Sequence, residues 1–344
     1  MLHITAPHTR MPQLTLTQMG VAENKDKCFM DFVLDYDTMK ATFCNLQPTK
    51  AHRQEARVRN RDPVEHAGMD QWRIWSVGDR GPRWEPEVVN RELKISVPIL
   101  KSNLQKAIRQ TNVEETLRTT TELALMDRLS LLRRLPIIAI EDVSLIVGTS
   151  TIVWFMMVDR GYLYTKELAF ILKYVSALCQ TTRTFRNDRS IAATHIGFRA
   201  AITESGESQK HEVAALQARI GYGGMAGDMD MLRRAVAAFR TGVIEEPMSG
   251  TEDVDVPRAV DLDHTVLLSG IDFHPCPWIL KYIHRQTQLP ENVIKSQIWY
   301  AESAPNNRKP WTLAKSARAR SDDTWTRIKP CLDAARIMIL EKRE

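Results

Sequence analysis

Two short stretches hold residue types at a spacing that chemistry would use. The first, residues 221–236, reads "GYGGMAGDMDMLRRAV". Gly221, Gly223, Gly224 and Gly227 precede a helical pattern, and backbone N–H groups at a helix start are a natural cradle for phosphate. A P-loop also needs a lysine after its last glycine and a hydroxyl for magnesium. Asp228 and Met229 stand there instead, and no GK[ST] occurs anywhere in the chain. Asp228 therefore reads as the N-cap of the next helix, and the glycines as the turn before it. The second stretch, "DFHPCPW" at 272–278, offers His274 and Cys276, with His264 and His284 ten residues to either side of His274. A zinc deaminase would place another cysteine where Ile279 stands, and a structural zinc site shows two close ligand pairs where this chain has one. GxSxG and HExxH are absent, and His195 reads as a core or helix-surface histidine. No catalytic residue, metal or cofactor is assigned.

Basic residues gather twice. Arg53, Arg57, Arg59 and Arg61 form one cluster; Arg308, Lys309, Lys315, Arg318 and Arg320, interleaved with Trp311, form the other. Arginine beside an aromatic ring can hold phosphate and stack on a base, so DNA or RNA is a candidate partner. A net charge of +5, from 47 Lys and Arg against 42 Asp and Glu, is too mild to demand nucleic acid.

The elements that must position these residues read as mainly α. With 43% apolar residues the chain can bury a sizeable core. Residues 1–95 read as an irregular N-terminal extension, with a strand signal from Cys28 to Val33 and with Trp72, Trp75 and Trp84 among Gly and Pro. From 96 to 243 the apolar period is helical: Ile99, Leu100, Leu104, Ala107 and Ile108 share one face. The run 137–158 contains Glu141, Asp142 and Gly148, which favours a buried helical pair over a membrane span. Residues 244–263 read as an acidic linker or loop, and 264–344 as a smaller helical region. Five cysteines with no CxxC fit a reducing, intracellular compartment, nucleus or cytoplasm, and no membrane partner is implied.

One stretch, "LQKAIRQTNVEETLRTTTELALMDRLSLLRRLPIIAIEDVSL", resembles the helical C-terminal region of the RarA/MgsA-type clamp-loader-like AAA+ ATPases. Lys106–Ala107–Ile108–Arg109 matches that family's first basic element. Arg133–Arg134–Leu135 and Ala139–Ile140–Glu141–Asp142–Val143 match its second. The likeness covers about residues 100–180 and excludes the whole ATPase portion, so ATP hydrolysis does not carry over. It implies an oligomerisation module in a setting of DNA replication or repair. Two departures stand out: Ser144 replaces a glycine, and Pro136 falls inside the matched helix, where its ring and missing amide should kink or split it. Read without the family, Arg133 or Arg134 can lie along an apolar stripe, while Glu141 and Asp142 pair across to a neighbouring helix or cap the next one.

The expectation is a non-catalytic helical protein that associates with itself or with a protein partner. One alternative is nucleic-acid binding through the arginine clusters. The other is an enzyme of unrecognised type with a site near Gly223 and Asp228.

Overall fold

The computed structural model describes residues 28–62, 69–89, 95–158, 160–187, 206–239, 254–261, 266–303 and 310–341. Helix dominates, with ten α-helices beside a small four-stranded sheet among the described residues. The sheet corrects the expectation of an irregular extension. Its strands are β1 (Cys28–Asp35), β2 (Lys40–Cys44), β3 (Arg53–Arg59) and β4 (Met69–Val77), in the order β2-β1-β4-β3. β1 runs antiparallel to β2 and parallel to β4; β3 runs antiparallel to β4. Alternation sends Phe32 and Leu34 of β1, and Trp72 and Ile74 of β4, to a buried inner face. Asp31, Arg73 and Trp75 take the outer face. There Asp31 accepts from Arg73 Nε at 2.7 Å and from Trp75 Nε1 at 2.7 Å.

The inner face packs on α3 (Thr149–Met157), every residue of which is buried. Trp154 joins the two layers: its indole N–H donates to the carbonyls of Phe32 (3.2 Å) and Trp75 (3.0 Å). Around it lie α1 (Val97–Arg109), α2 (Val113–Asp142), α4 (Thr165–Asn187), α5 (Gly206–Tyr222) and α6 (Ala226–Phe239). The apolar run read as a buried helical pair is the end of α2, a turn, and α3.

Helix α2 bends, but not at its proline. The non-helical residue is Asp127 (φ −155°, ψ 76°), nine positions before Pro136. Asp127 Oδ1 accepts from Ser130 N at 2.9 Å, so it caps the helix that restarts there. Pro136 sits buried inside that second segment without ending it.

Part of the stretch expected as an acidic linker is structured. β6 (Ala259–Asp261) pairs in parallel with β5 (Glu87–Val89), while 244–253 lie outside the described residues. The C-terminal region adds α7 (Trp278–Thr287), α8 (Glu291–Ile298), α9 (Pro310–Arg320) and α10 (Asp323–Glu341). Buried Arg336 of α10 ties it inward, donating to Ile271 O at 3.0 Å and pairing with Glu302.

Candidate functional site

Some of the residues singled out in the sequence meet at two neighbouring places. One is a polar cleft of about 460 Å³ between α1, the end of α2, the loop after α5 and the turn at 272–275. Its cations come from α1 and α2: Lys101, Lys106, Arg109 and Arg134. Helical spacing puts Lys106 and Arg109 on the face of α1 that packs on α2. Arg109 Nε donates to Asp142 Oδ1 at 2.6 Å and Nη2 to Glu141 Oε1 at 3.2 Å. The acids at the end of α2 thus pair across to α1, one of the two roles read for them. Burial alone would lower the Arg109 pKa, but the charge of Asp142 overrides it and the net direction is up. Arg134 donates to Gln105 Oε1 and lies 3.8 Å from Glu141.

Lys106 is 4% exposed, and its Nζ stands 3.3 Å from Asp272 Oδ2. Burial pushes its pKa down. Asp272, 1% exposed, also accepts from the backbone N–H of His274 at 2.8 Å and lies 3.0 Å from its Nδ1. Burial would raise the Asp272 pKa; the His274 contact and the Lys106 charge reverse that and hold it well below the usual carboxylate range. Asp142 and Asp272 stand behind the cleft, whereas their basic partners form its wall together with His274 and Trp299.

The second place is a groove of about 340 Å³ along β3, the edge strand. Arg57, Arg59 and Arg61 line it with Met157 and Tyr222. All three arginines are exposed, and none has a carboxylate partner among the described residues. Arg53 is set apart from the groove, donating to Gly78 O at 2.5 Å. Arg133 lies over the Tyr222 ring, 5.8 Å from its centroid, and so belongs to the groove side while Arg134 serves the cleft.

The glycine loop separates the two. Gly221 is in the last turn of α5, where a Cβ would fall 2.3 Å from Trp72 Cη2 and 2.4 Å from Asn60 Oδ1. Only glycine lets that helix cross the sheet so closely. Gly223 takes φ +93° and ends the helix in left-handed geometry. Gly224 is exposed, and Gly227 lies within α6 with open space around it. Asp228 is a first-turn residue of α6 rather than its N-cap, because the helix already begins at Ala226; an acid there suits the helix dipole. Beneath the loop, Arg219 donates to Gly223 O at 2.8 Å and to Arg133 O. Burial and the nearby Arg133 lower its pKa to about 10.

No known protein family, curated protein or solved structure matches the chain. The chemistry of the two places therefore stands on their own geometry.

The described residues of the second basic cluster do not join either. Arg318 and Arg320 are exposed in the last turn of α9, and Lys315 Nζ lies over the Tyr300 ring at 5.3 Å. Trp311 falls in the first turn of α9, and Arg308 and Lys309 lie outside the described residues. His195 and His264 also lie outside them. Cys276 is buried, and among the described residues no three His, Cys, Asp or Glu side chains are grouped to hold a metal. No helix of the described chain is long and apolar enough to cross a membrane.

Proposed function

We propose that the protein binds nucleic acid without acting on it catalytically, tracking the phosphate backbone along the β3 groove. The observation that carries this is the grouping of Arg57, Arg59 and Arg61, free of carboxylates, with the ring of Tyr222 in one groove. Arginines supply the phosphate contacts, and Tyr222, with Arg133 over its ring at 5.8 Å, gives the groove an aromatic wall. A setting in DNA replication or repair, which the resemblance implies, belongs to the same proposal. Charge on an edge strand has a rival use, since it keeps the strand from pairing with another copy. The two uses differ in salt dependence. Binding through phosphate releases counterions, with a log–log slope of about −0.7 per contact for single strands. Changing Arg57, Arg59 and Arg61 together to Ala should flatten the slope by roughly two units and weaken all sequences alike. An unchanged slope and affinity would leave only the protective role.

Self-association rests on the resemblance alone. Ile99, Leu100, Leu104, Leu131, Leu132 and Leu135, the apolar residues of the matched helices, are buried in the chain's own core, so a second copy would have to use another surface.

A further inference from the structure

We infer that the polar cleft is a binding site for a phosphomonoester dianion, carried by a nucleotide that is either free or at the end of a strand. The strand-end version rests on the nucleic-acid reading; the free-nucleotide version does not.

Three side chains on the cleft wall keep hydrogen-bonding capacity. Lys106 carries three N–H donors and has one acceptor, Asp272, at a long 3.3 Å. Lys101 has neither hydrogen bond nor ion pair among the described residues. His274 is held through Nδ1 by Asp272; its Nε2 has no partner among the described residues and donates to an anion in the imidazolium form of the ring. A buried ammonium with two donors unmatched is costly, and an oxyanion is the group that would satisfy it. Among the lining residues the cations Lys101, Lys106, Arg109 and Arg134 outnumber the acids Glu141 and Asp228, while Asp142 and Asp272 stand behind the wall against Arg109 and Lys106. Arg109 and Arg134 are engaged with Glu141, so Lys101, Lys106 and His274 are the groups left to meet an anion.

Size and surroundings favour a nucleotide over a bare ion. A volume of about 460 Å³ lies within the usual range for small-molecule sites, about 300–1,000 Å³. Trp299 and Pro275 supply apolar wall for a base or sugar. Tyr222 lines the groove and Met225 lines the cleft. Three residues of chain span at most about 11 Å, so a strand leaving the groove has a short path to the cleft.

Calorimetry on the full-length protein compares adenosine 5′-monophosphate, adenosine and inorganic phosphate. A parallel titration compares a single-stranded oligonucleotide bearing a 5′-phosphate with the same strand ending in hydroxyl. The phosphorylated member of at least one pair should bind about tenfold tighter, the size expected for losing one or two charge-assisted contacts. Preference in the mononucleotide pair identifies a free nucleotide; preference in the oligonucleotide pair alone identifies a strand end. Lys101→Ala with His274→Ala should erase the preference, and a circular dichroism spectrum matching the parent shows that the fold is kept. Lys106→Met tests the buried donor, provided its circular dichroism matches the parent. Equal binding within each pair, no binding of any probe, or a preference that survives the double variant would overturn the inference. The groove variant at Arg57, Arg59 and Arg61 keeps the mononucleotide preference, so failure at the groove and failure at the cleft are told apart.

Discussion

Glu212 shows how much a single buried group can set. It lies on α5, 3% exposed, and its carboxylate accepts from Gly148 N at 2.9 Å and Ser150 N at 2.6 Å at the start of α3. Desolvation outweighs those bonds and raises its pKa from 4.5 to about 7. In the unfolded chain the group ionises near 4.5, so its contribution to stability is fully present below that pH and is lost as pH rises through about 7. The difference amounts to roughly 3 kcal/mol. Glu212→Gln mimics the protonated acid. Urea denaturation should show parent and variant close at pH 5 and the parent the less stable at pH 8; parallel pH profiles would show that the carboxylate is not the cause. A signal for this residue was present in the sequence: Glu212, Leu216 and Arg219 follow one another at helical spacing, which puts two charges on a buried stripe. For Asp272 there was none, because its partner Lys106 is 166 positions earlier and only the fold brings them together.

At the level of elements, local chemistry was legible where it repeats and illegible where it does not. The period of α1 and the run through α3 announced themselves. β3, "RQEARVR", did not, because an edge strand facing solvent needs little apolar content; only Ala56 and Val58 reach the core. The break in α2 was expected at Pro136 and occurs at Asp127. A buried proline is tolerated where its turn is held by packing on both sides, whereas Asp127 offers an alternative partner to the backbone and restarts the helix. Asp127→Ala should therefore cost about 0.5–2 kcal/mol, the range for a lost N-cap. Thermal denaturation of the variant checks this, and an unchanged midpoint would place the origin of the bend elsewhere.

On the scale of the whole molecule, the sheet, the central helices and the C-terminal region share one core. Phe32, Leu34, Trp72 and Ile74 of the sheet, Trp154 and Leu172 of the helices, and Ile279 and Leu332 of the C-terminal region belong to a single cluster of buried residues. The chain from 96 to 243 reads as a central helical domain because its helices carry clear apolar faces. That pattern says an apolar face exists; it does not say which element covers it. Here much of the cover is the sheet, since α3 is buried all round and Trp154 takes both its hydrogen-bond acceptors from strand carbonyls. A chain that starts at residue 95 would expose Trp154 and its neighbours and strand the indole N–H. It should be aggregation-prone or bind a hydrophobic dye, while the full-length protein unfolds with coincident tryptophan-fluorescence and far-ultraviolet dichroism transitions. A soluble, monomeric fragment from residue 95 with a sharp melting transition would show that the helices form their core without the sheet. In that case the cleft would stand without the sheet, and removing β3 would abolish salt-dependent strand binding while leaving the nucleotide preference of the cleft intact.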